Sequence, residues 1–111
     1  MEGWHNVHKP LGVEGAMSAI TEPPAVDKLV VCHGDTCAPN LLIDDDGRWT
    51  GWVDLGDMGV ADRWNDLAVA TWSASWNYGA EWEAPLLDAY GIDPAHERTA
   101  FYRLLYDLWP E

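Results

Sequence analysis

Leu29-Val30-Val31-Cys32-His33-Gly34-Asp35-Thr36-Cys37-Ala38-Pro39-Asn40-Leu41-Leu42-Ile43, followed by Trp49-Thr50-Gly51-Trp52-Val53-Asp54-Leu55-Gly56, is the stretch whose reading decides the fold. Leu29-Val30-Val31 reads as a short buried strand, and Cys32 to Pro39 as a polar loop after it. Leu41 to Ile43 and Trp49 to Val53 are apolar, β-prone runs separated by Asp44-Asp45-Asp46-Gly47, a turn signal that makes them a hairpin. In that pairing Asn40 enters the first strand at the end where Asp54 leaves the second. Opposed residues of such a pair lie roughly 4.5 to 5.5 Å apart at Cα. An amide and a carboxylate at that separation suit one hard cation, which prefers oxygen ligands and keeps several waters. Asp35, on the loop just before, stands beside that cation as a base or an orienting group.

Outward from this segment the signals change. Residues 1–27 carry Pro10, Gly12, Gly15 and Pro23-Pro24, which interrupt any period. They read as a loop-like leader with one helical turn around Glu14 to Ile20, set apart from a domain over 28–111. From Asp62 onward the pattern is helical. Asp62 caps a helix running through Trp76, with Leu67, Ala70, Thr71 and Ala74 at helical spacing and Gly79 as the break. Glu81 to Tyr90 is a second helix ended by Gly91, with Pro85 placed to kink it or shift its start. Asp93-Pro94 starts a third, whose stripe of Phe101, Leu104, Leu105 and Leu108 packs on the core. Arg63 is set to pair locally with Asp62.

A chain of 111 residues has room for one domain and a modest core. With 19 acidic against 6 basic residues, the net charge of −13 disfavours nucleic acid and anionic membrane surfaces, and it attracts polycations. The same acidity also serves plain solubility. No apolar run approaches a membrane span, and the N-terminus lacks the basic and apolar regions of a signal peptide. The two cysteines, Cys32 and Cys37, are too few for a disulfide scaffold and read as reduced cytosolic thiols. Joined with His33, His5 or His8 they match no usual zinc spacing.

His33-Gly34-Asp35, Asn40 five residues on, Asp54 fourteen further and Ala61-Asp62-Arg63-Trp64 beyond together resemble the aminoglycoside phosphotransferases, a kinase-like family. The resemblance runs from about Lys28 to the C-terminus, includes Ala100-Phe101-Tyr102-Arg103-Leu104-Leu105, and is nearest the branch acting on 3′-type hydroxyls. It implies an α+β fold: the C-terminal lobe core of a kinase-like protein, a β-hairpin and catalytic loop packed on about three helices. It also implies transfer of the ATP γ-phosphate, with magnesium, to an aminoglycoside hydroxyl in the cytoplasm, as in antibiotic resistance. Asp35 is then the catalytic base, and Asn40 and Asp54 hold the magnesium. His33 and Asp66 support the loop structurally.

Two positions depart from the family. Many relatives carry Arg where this chain has Asp57, which reverses a charge near the site. Where relatives of the kanamycin-binding kind place acidic pairs, this chain has Trp76 and Asn77 on the helix and Tyr106 and Asp107 in the tail. Asp107, Trp76 and Asn77 are the candidate acceptor contacts, the aromatics by stacking or cation–π attraction. Core packing is the competing reading for Trp76 and Tyr106. The resemblance includes no N-terminal lobe and no phosphate-covering loop, so the chain reads as truncated. That leaves three alternatives to an autonomous aminoglycoside kinase. They are a non-catalytic remnant or binding module, a small-molecule kinase with another acceptor, and a half-kinase completed by self-association or by a partner supplying the lobe.

Overall fold

The hairpin foreseen between residues 41 and 53 forms, and its turn chemistry shows why. In the computed structural model, which describes residues 4–37, 40–53 and 55–108, strand β2 (Leu41–Ile43) pairs antiparallel with β3 (Trp49–Trp52). The Asp44 carboxylate accepts the N–H groups of Asp46 and Arg48, both at 2.9 Å. Gly47 takes the positive φ of 80° that closes the turn. Leu41 faces Trp52 in register, and the Val53 N–H continues the ladder to the Asn40 carbonyl at 2.9 Å. Asn40 and residue 53 therefore lie side by side.

Strand β1 (Leu29–Cys32) pairs with a strand that the sequence reading missed, β4 (Gly59–Asp62), with Val31 opposite Val60. Glycine, alanine and aspartate have low strand propensity, so β4 exists because β1 offers it a ladder. The expectation of a buried β1 is corrected. Cys32 is buried, whereas Leu29, Val31 and Val60 are 61, 70 and 70% exposed, leaving one face of this two-stranded sheet open. The apolar run resembled a strand covered on both faces, but only one face has a neighbour.

Helix α1 (Gly12–Ala19) follows a 3-10 turn at Lys9–Leu11, so the leader carries more helix than one turn. Helix α2 (Trp64–Tyr78) is central and contacts α3 (Glu83–Tyr90), α4 (His96–Leu108) and β4. It is buried on more than one side, at Trp64, Leu67, Ala68, Val69, Thr71, Trp72 and Ser73. Trp64, Leu67 and Leu87 form the core, joined by Leu86, Ile92, Ala95 and Tyr102. Arg103 of α4 ties three helices together. It donates to the Ala68 carbonyl at 3.1 Å, to the Thr71 hydroxyl at 3.1 Å and to Glu83 at 2.6 Å.

The helix ends repay comparison with the sequence. Gly79 and Gly91 end α2 and α3, both at positive φ. Pro85 falls in the first turn of α3, where its missing N–H costs nothing, because the chain first makes a 3-10 turn at Ala80–Trp82. Helix α4 begins two residues after Asp93-Pro94, at His96. Asp62 does accept the Trp64 N–H at 2.9 Å at the start of α2. Its other oxygen takes the Asp27 and Lys28 N–H groups, so Arg63 pairs with Asp27 at 2.8 Å and not with Asp62.

Candidate active site

The loop after β1 is held from both sides. Asp66, in the first turn of α2, accepts the His33 N–H at 2.8 Å and the Gly34 N–H at 3.1 Å, and its carbonyl accepts the Thr36 hydroxyl at 2.7 Å. Gly34 sits at φ 94°, and a Cβ there would lie 2.5 Å from the Asp57 carbonyl oxygen, so only glycine fits. His33 spans the loop: its Nε2 is 2.7 Å from the Val53 carbonyl and its Nδ1 is 3.0 Å from the Asp35 N–H. A carbonyl only accepts, and a backbone N–H only donates. The ring is therefore the neutral Nε2–H tautomer, with Nδ1 occupied by the backbone. That geometry suits a brace between hairpin and loop and leaves no free nitrogen for general-base work.

Asp35 is thereby fixed at the backbone, and its carboxylate is fixed separately. Oδ1 accepts the Tyr106 hydroxyl at 3.0 Å and the Cys37 thiol at 3.1 Å. Burial, followed by the Asp35 carboxylate, pushes the Cys37 thiol up to about 11. Burial also raises the Tyr106 phenol, followed by its neighbours Cys37 and Asp35. Both groups therefore keep their protons at neutral pH and donate to Asp35. Oδ2 receives no hydrogen bond among the described residues. The sequence reading did not anticipate these two donors, since nothing in the spacing of residues 37 and 106 relates them.

Asn40 donates from Nδ2 to the Asp35 carbonyl at 2.9 Å, which orients the amide and leaves Oδ1 as its oxygen donor. Its expected metal partner, Asp54, lies outside the described residues. Among the described residues, no three or more His, Cys, Asp or Glu side chains gather as a metal cluster.

Beside Asp35 opens a cavity of about 270 Å³ lined by Asp35, Asp57, Asn65 and Tyr106 over an apolar floor that includes Val69 and Leu105. Among the described residues two carboxylates and no basic side chain line it, so it attracts cationic groups and repels anions unless a metal intervenes. A second, apolar cavity of about 360 Å³ lies between the hairpin and helices α2 and α3, lined by Leu41, Trp52, Ala74, Tyr78 and Leu86 among others.

The candidate acceptor contacts lie elsewhere. The Asp107 side chain is 2% exposed and is taken up by residues near the N-terminus: His5 Nδ1 lies 2.7 Å from one oxygen and His8 Nδ1 2.6 Å from the other. Trp76 stacks on His5 with centroids 4.3 Å apart. Asn77 donates back along its own helix to Ser73. The spacing His5-x-x-His8 was the one sequence signal available for this arrangement.

Residues 13–102 match the phosphotransferase enzyme family, and the chain belongs to that family. Similar curated proteins are more specific. An aminoglycoside 3′-phosphotransferase of Niallia circulans is 41% identical over 85 residues, which is 76% of this chain and 32% of that protein. A streptomycin 3″-kinase of Streptomyces griseus is 42% identical over 79 residues, 66% of this chain and 29% of that one. Among solved structures, an aminoglycoside-3′-phosphotransferase of type VIII superimposes with a TM-score of 0.73 at 33% identity, over 86% of this chain and 38% of its own. An aminoglycoside phosphotransferase of Streptomyces rimosus, solved with ADP and streptomycin, has a TM-score of 0.64 at 35% identity, over 75% of this chain and 34% of its own. The α+β fold read from the sequence is the fold of these structures. The chain spans about a third of the length of the curated relatives it matches.

Proposed function

We propose that this chain carries the acceptor-activating half of an ATP-dependent aminoglycoside phosphotransferase. One observation carries the reading. The Asp35 carboxylate is anchored through Oδ1 by Tyr106 and Cys37 at a cation-attracting cavity, with no hydrogen bond to Oδ2 among the described residues. Phosphoryl transfer asks the protein mainly for positioning and charge neutralisation. An acceptor hydroxyl in the cavity would donate its hydrogen to Oδ2, which aims the hydroxyl oxygen and takes the proton as its bond to the γ-phosphorus forms and the bond from that phosphorus to the bridging oxygen breaks, releasing ADP. His33 and Asp66 keep the loop from moving as the proton arrives. The Asn40 oxygen and Asp54 are the ligands we assign to magnesium. One neutral and one charged oxygen would leave further positions on the ion for phosphate and water. Magnesium held by them would supply the phosphates with positive charge, which the described lining of the Asp35 cavity does not.

The acidic surface, with net charge −13, suits a polycationic acceptor and disfavours nucleic acid and membrane partners. Free thiols at Cys32 and Cys37 fit the cytoplasm. No helix among the described residues is long and apolar enough to cross a membrane. The test is phosphate transfer from ATP and magnesium to kanamycin and to streptomycin, with Asp35→Asn alongside. A fall in turnover of about 10²- to 10⁴-fold in a folded variant is expected, the usual worth of a general base. Full activity in Asp35→Asn would remove Asp35 from the chemistry. The open apolar face of Leu29, Val31 and Val60 favours a second reading, a module that works only when covered by a second copy or another polypeptide. Transfer by a monomeric sample, checked by light scattering, would set that reading aside.

A further inference from the structure

The hairpin and the helical body face each other across open apolar space. Helix α2 offers that space Ala70, Ala74 and Tyr78, a stripe at a spacing of four residues that runs about 12 Å at 1.5 Å per residue. Leu41 and Trp52, paired in register on the hairpin, form one wall, and Trp82 of the 3-10 turn with Leu86 of α3 forms the other. The groove between them is the cavity of about 360 Å³, and no charged side chain among the described residues lines it. Among the described residues no helix packs extensively on the hairpin. A two-stranded hairpin alone is marginally stable in water. Trp52, Tyr78 and Trp82 are 36, 66 and 53% exposed, so three large aromatic side chains meet water where the fold gives them little cover.

The shape of the groove narrows its occupant. Two alanines in the floor let a backbone come close, and aromatic walls grip bulky side chains, which suits a helix laid in by its i, i+4 and i+7 residues. The stripe on α2 matches about two turns of such a helix. The surrounding charge narrows it further. Glu81 stands between Tyr78 and Trp82 in the chain and Asp44-Asp45-Asp46 forms the hairpin tip, with Arg48 the one basic residue in either segment. A net charge of −13 on every copy opposes pairing with a second copy and favours a basic partner. We propose that the groove between the hairpin and α2 docks an amphipathic helix of a separate polypeptide, with large aliphatic anchors on one face and lysines or arginines on its flanks. This deepens the second reading above, a module completed by another polypeptide, and gives the partner a place. Asn40 adjoins Leu41, the Trp52 ring lies 5.2 Å from that of His33, and Thr36 of the loop lines the same groove. A docked helix therefore fixes the hairpin that carries Asn40 against the loop that carries Asp35.

The experiment is a titration of the whole chain, followed through its backbone amides by NMR, with a leucine–lysine peptide of about 18 residues patterned to form one apolar helical face. A peptide of the same composition, scrambled so that no apolar face forms, is the control. The patterned peptide should shift the amides of Leu41, Trp52, Ala70 and Ala74. At a concentration that fills about nine-tenths of the grooves it should slow hydrogen exchange in the hairpin about tenfold, because a hairpin that opens only when the groove is empty exchanges in proportion to the empty fraction. The scrambled peptide carries the same charge and should do neither. Ala74→Phe puts a ring into the groove floor, and should weaken the patterned peptide about tenfold and by itself slow exchange in the hairpin. Equal binding of the two peptides would overturn the proposal, since charge alone would explain it, and so would shifts confined to other surfaces or no binding at all. A dimer of the free chain that Ala74→Phe dissolves, read by light scattering, would overturn it too, because the groove would then belong to a second copy. If that variant does not fold, the two peptides on the native chain decide. Hairpin protection is read without ATP: a chain that docks the patterned peptide but transfers no phosphate keeps this proposal and loses the enzyme reading. Phosphate transfer by a chain that docks neither peptide does the reverse.

Discussion

The loop after β1 and the irregular segment 4–8 are each gripped by a helix aspartate, and they are gripped in different ways. Asp66 grips the loop through two backbone N–H groups, those of His33 and Gly34. Asp107 grips the leader through two imidazoles and only one backbone N–H. A backbone donor is present whatever the side chain, and it cannot rotate away once the loop is threaded through Gly34 at φ 94°. An imidazole donor depends on the residue and swings on two torsions. The first grip therefore belongs to the fold, and the second is conditional.

The largest test of that contrast is Asp66→Ala. It leaves two loop N–H groups without partners, and should cost about 2–5 kcal/mol in urea unfolding and abolish any turnover. A loss below 1 kcal/mol would mean that the loop is held by other contacts. Asp107→Ala should be milder, about 1–3 kcal/mol, because the released imidazoles can reach water. Its mark should be regional: hydrogen exchange should speed up over residues 4–11 and stay unchanged at Gly34 and Asp35. Equal acceleration in both regions would erase the distinction between the two grips.

The smallest effect expected is alkaline. Burial, then the nearby Asp66, holds the Cys32 thiol up at about 11, and Cys37 is raised to about 11 as well, both from 9.0. The unfolded thiols ionise from about pH 9 while the folded ones stay protonated. Stability is therefore unaffected below pH 9 and falls as pH rises toward 11. Urea midpoints at pH 8 and pH 10.5 should differ by less in Cys32→Ala than in the native chain. The loss should appear at β1 and the loop after it, since residues 4–20 contain no cysteine.

Much of the site was legible because it is local. His33, Gly34, Asp35 and Asn40 lie within eight residues, and the Asp44-Asp45-Asp46-Gly47 turn returns the chain so that residue 53 meets Asn40. Glycine stops at 79 and 91 were read for the same reason, because a helix end is decided by a few neighbouring residues. Strand β4 was not legible, because its pairing with β1 across some thirty residues outweighs a poor local propensity. The expected pair of Asp62 with Arg63 failed likewise. Asp62 is buried where two backbone N–H groups from residues 27 and 28 need an acceptor, a demand no local pattern records.

By itself, then, the sequence determined the loop after β1, the hairpin and the helix boundaries within a few residues, and it pointed to the family through the spacing of Asp35, Asn40 and Asp54. These rest on short-range backbone preferences and on residue types with few alternative uses. Only the tertiary structure decided that Tyr106 and Cys37 hold the carboxylate of Asp35, and that His5 and His8 close over Asp107. Those contacts join positions about seventy and a hundred residues apart, except for Cys37 beside Asp35. They depend on how α4 turns its neighbouring side chains to different sides, which packing against α2 settles and the order of residues alone does not.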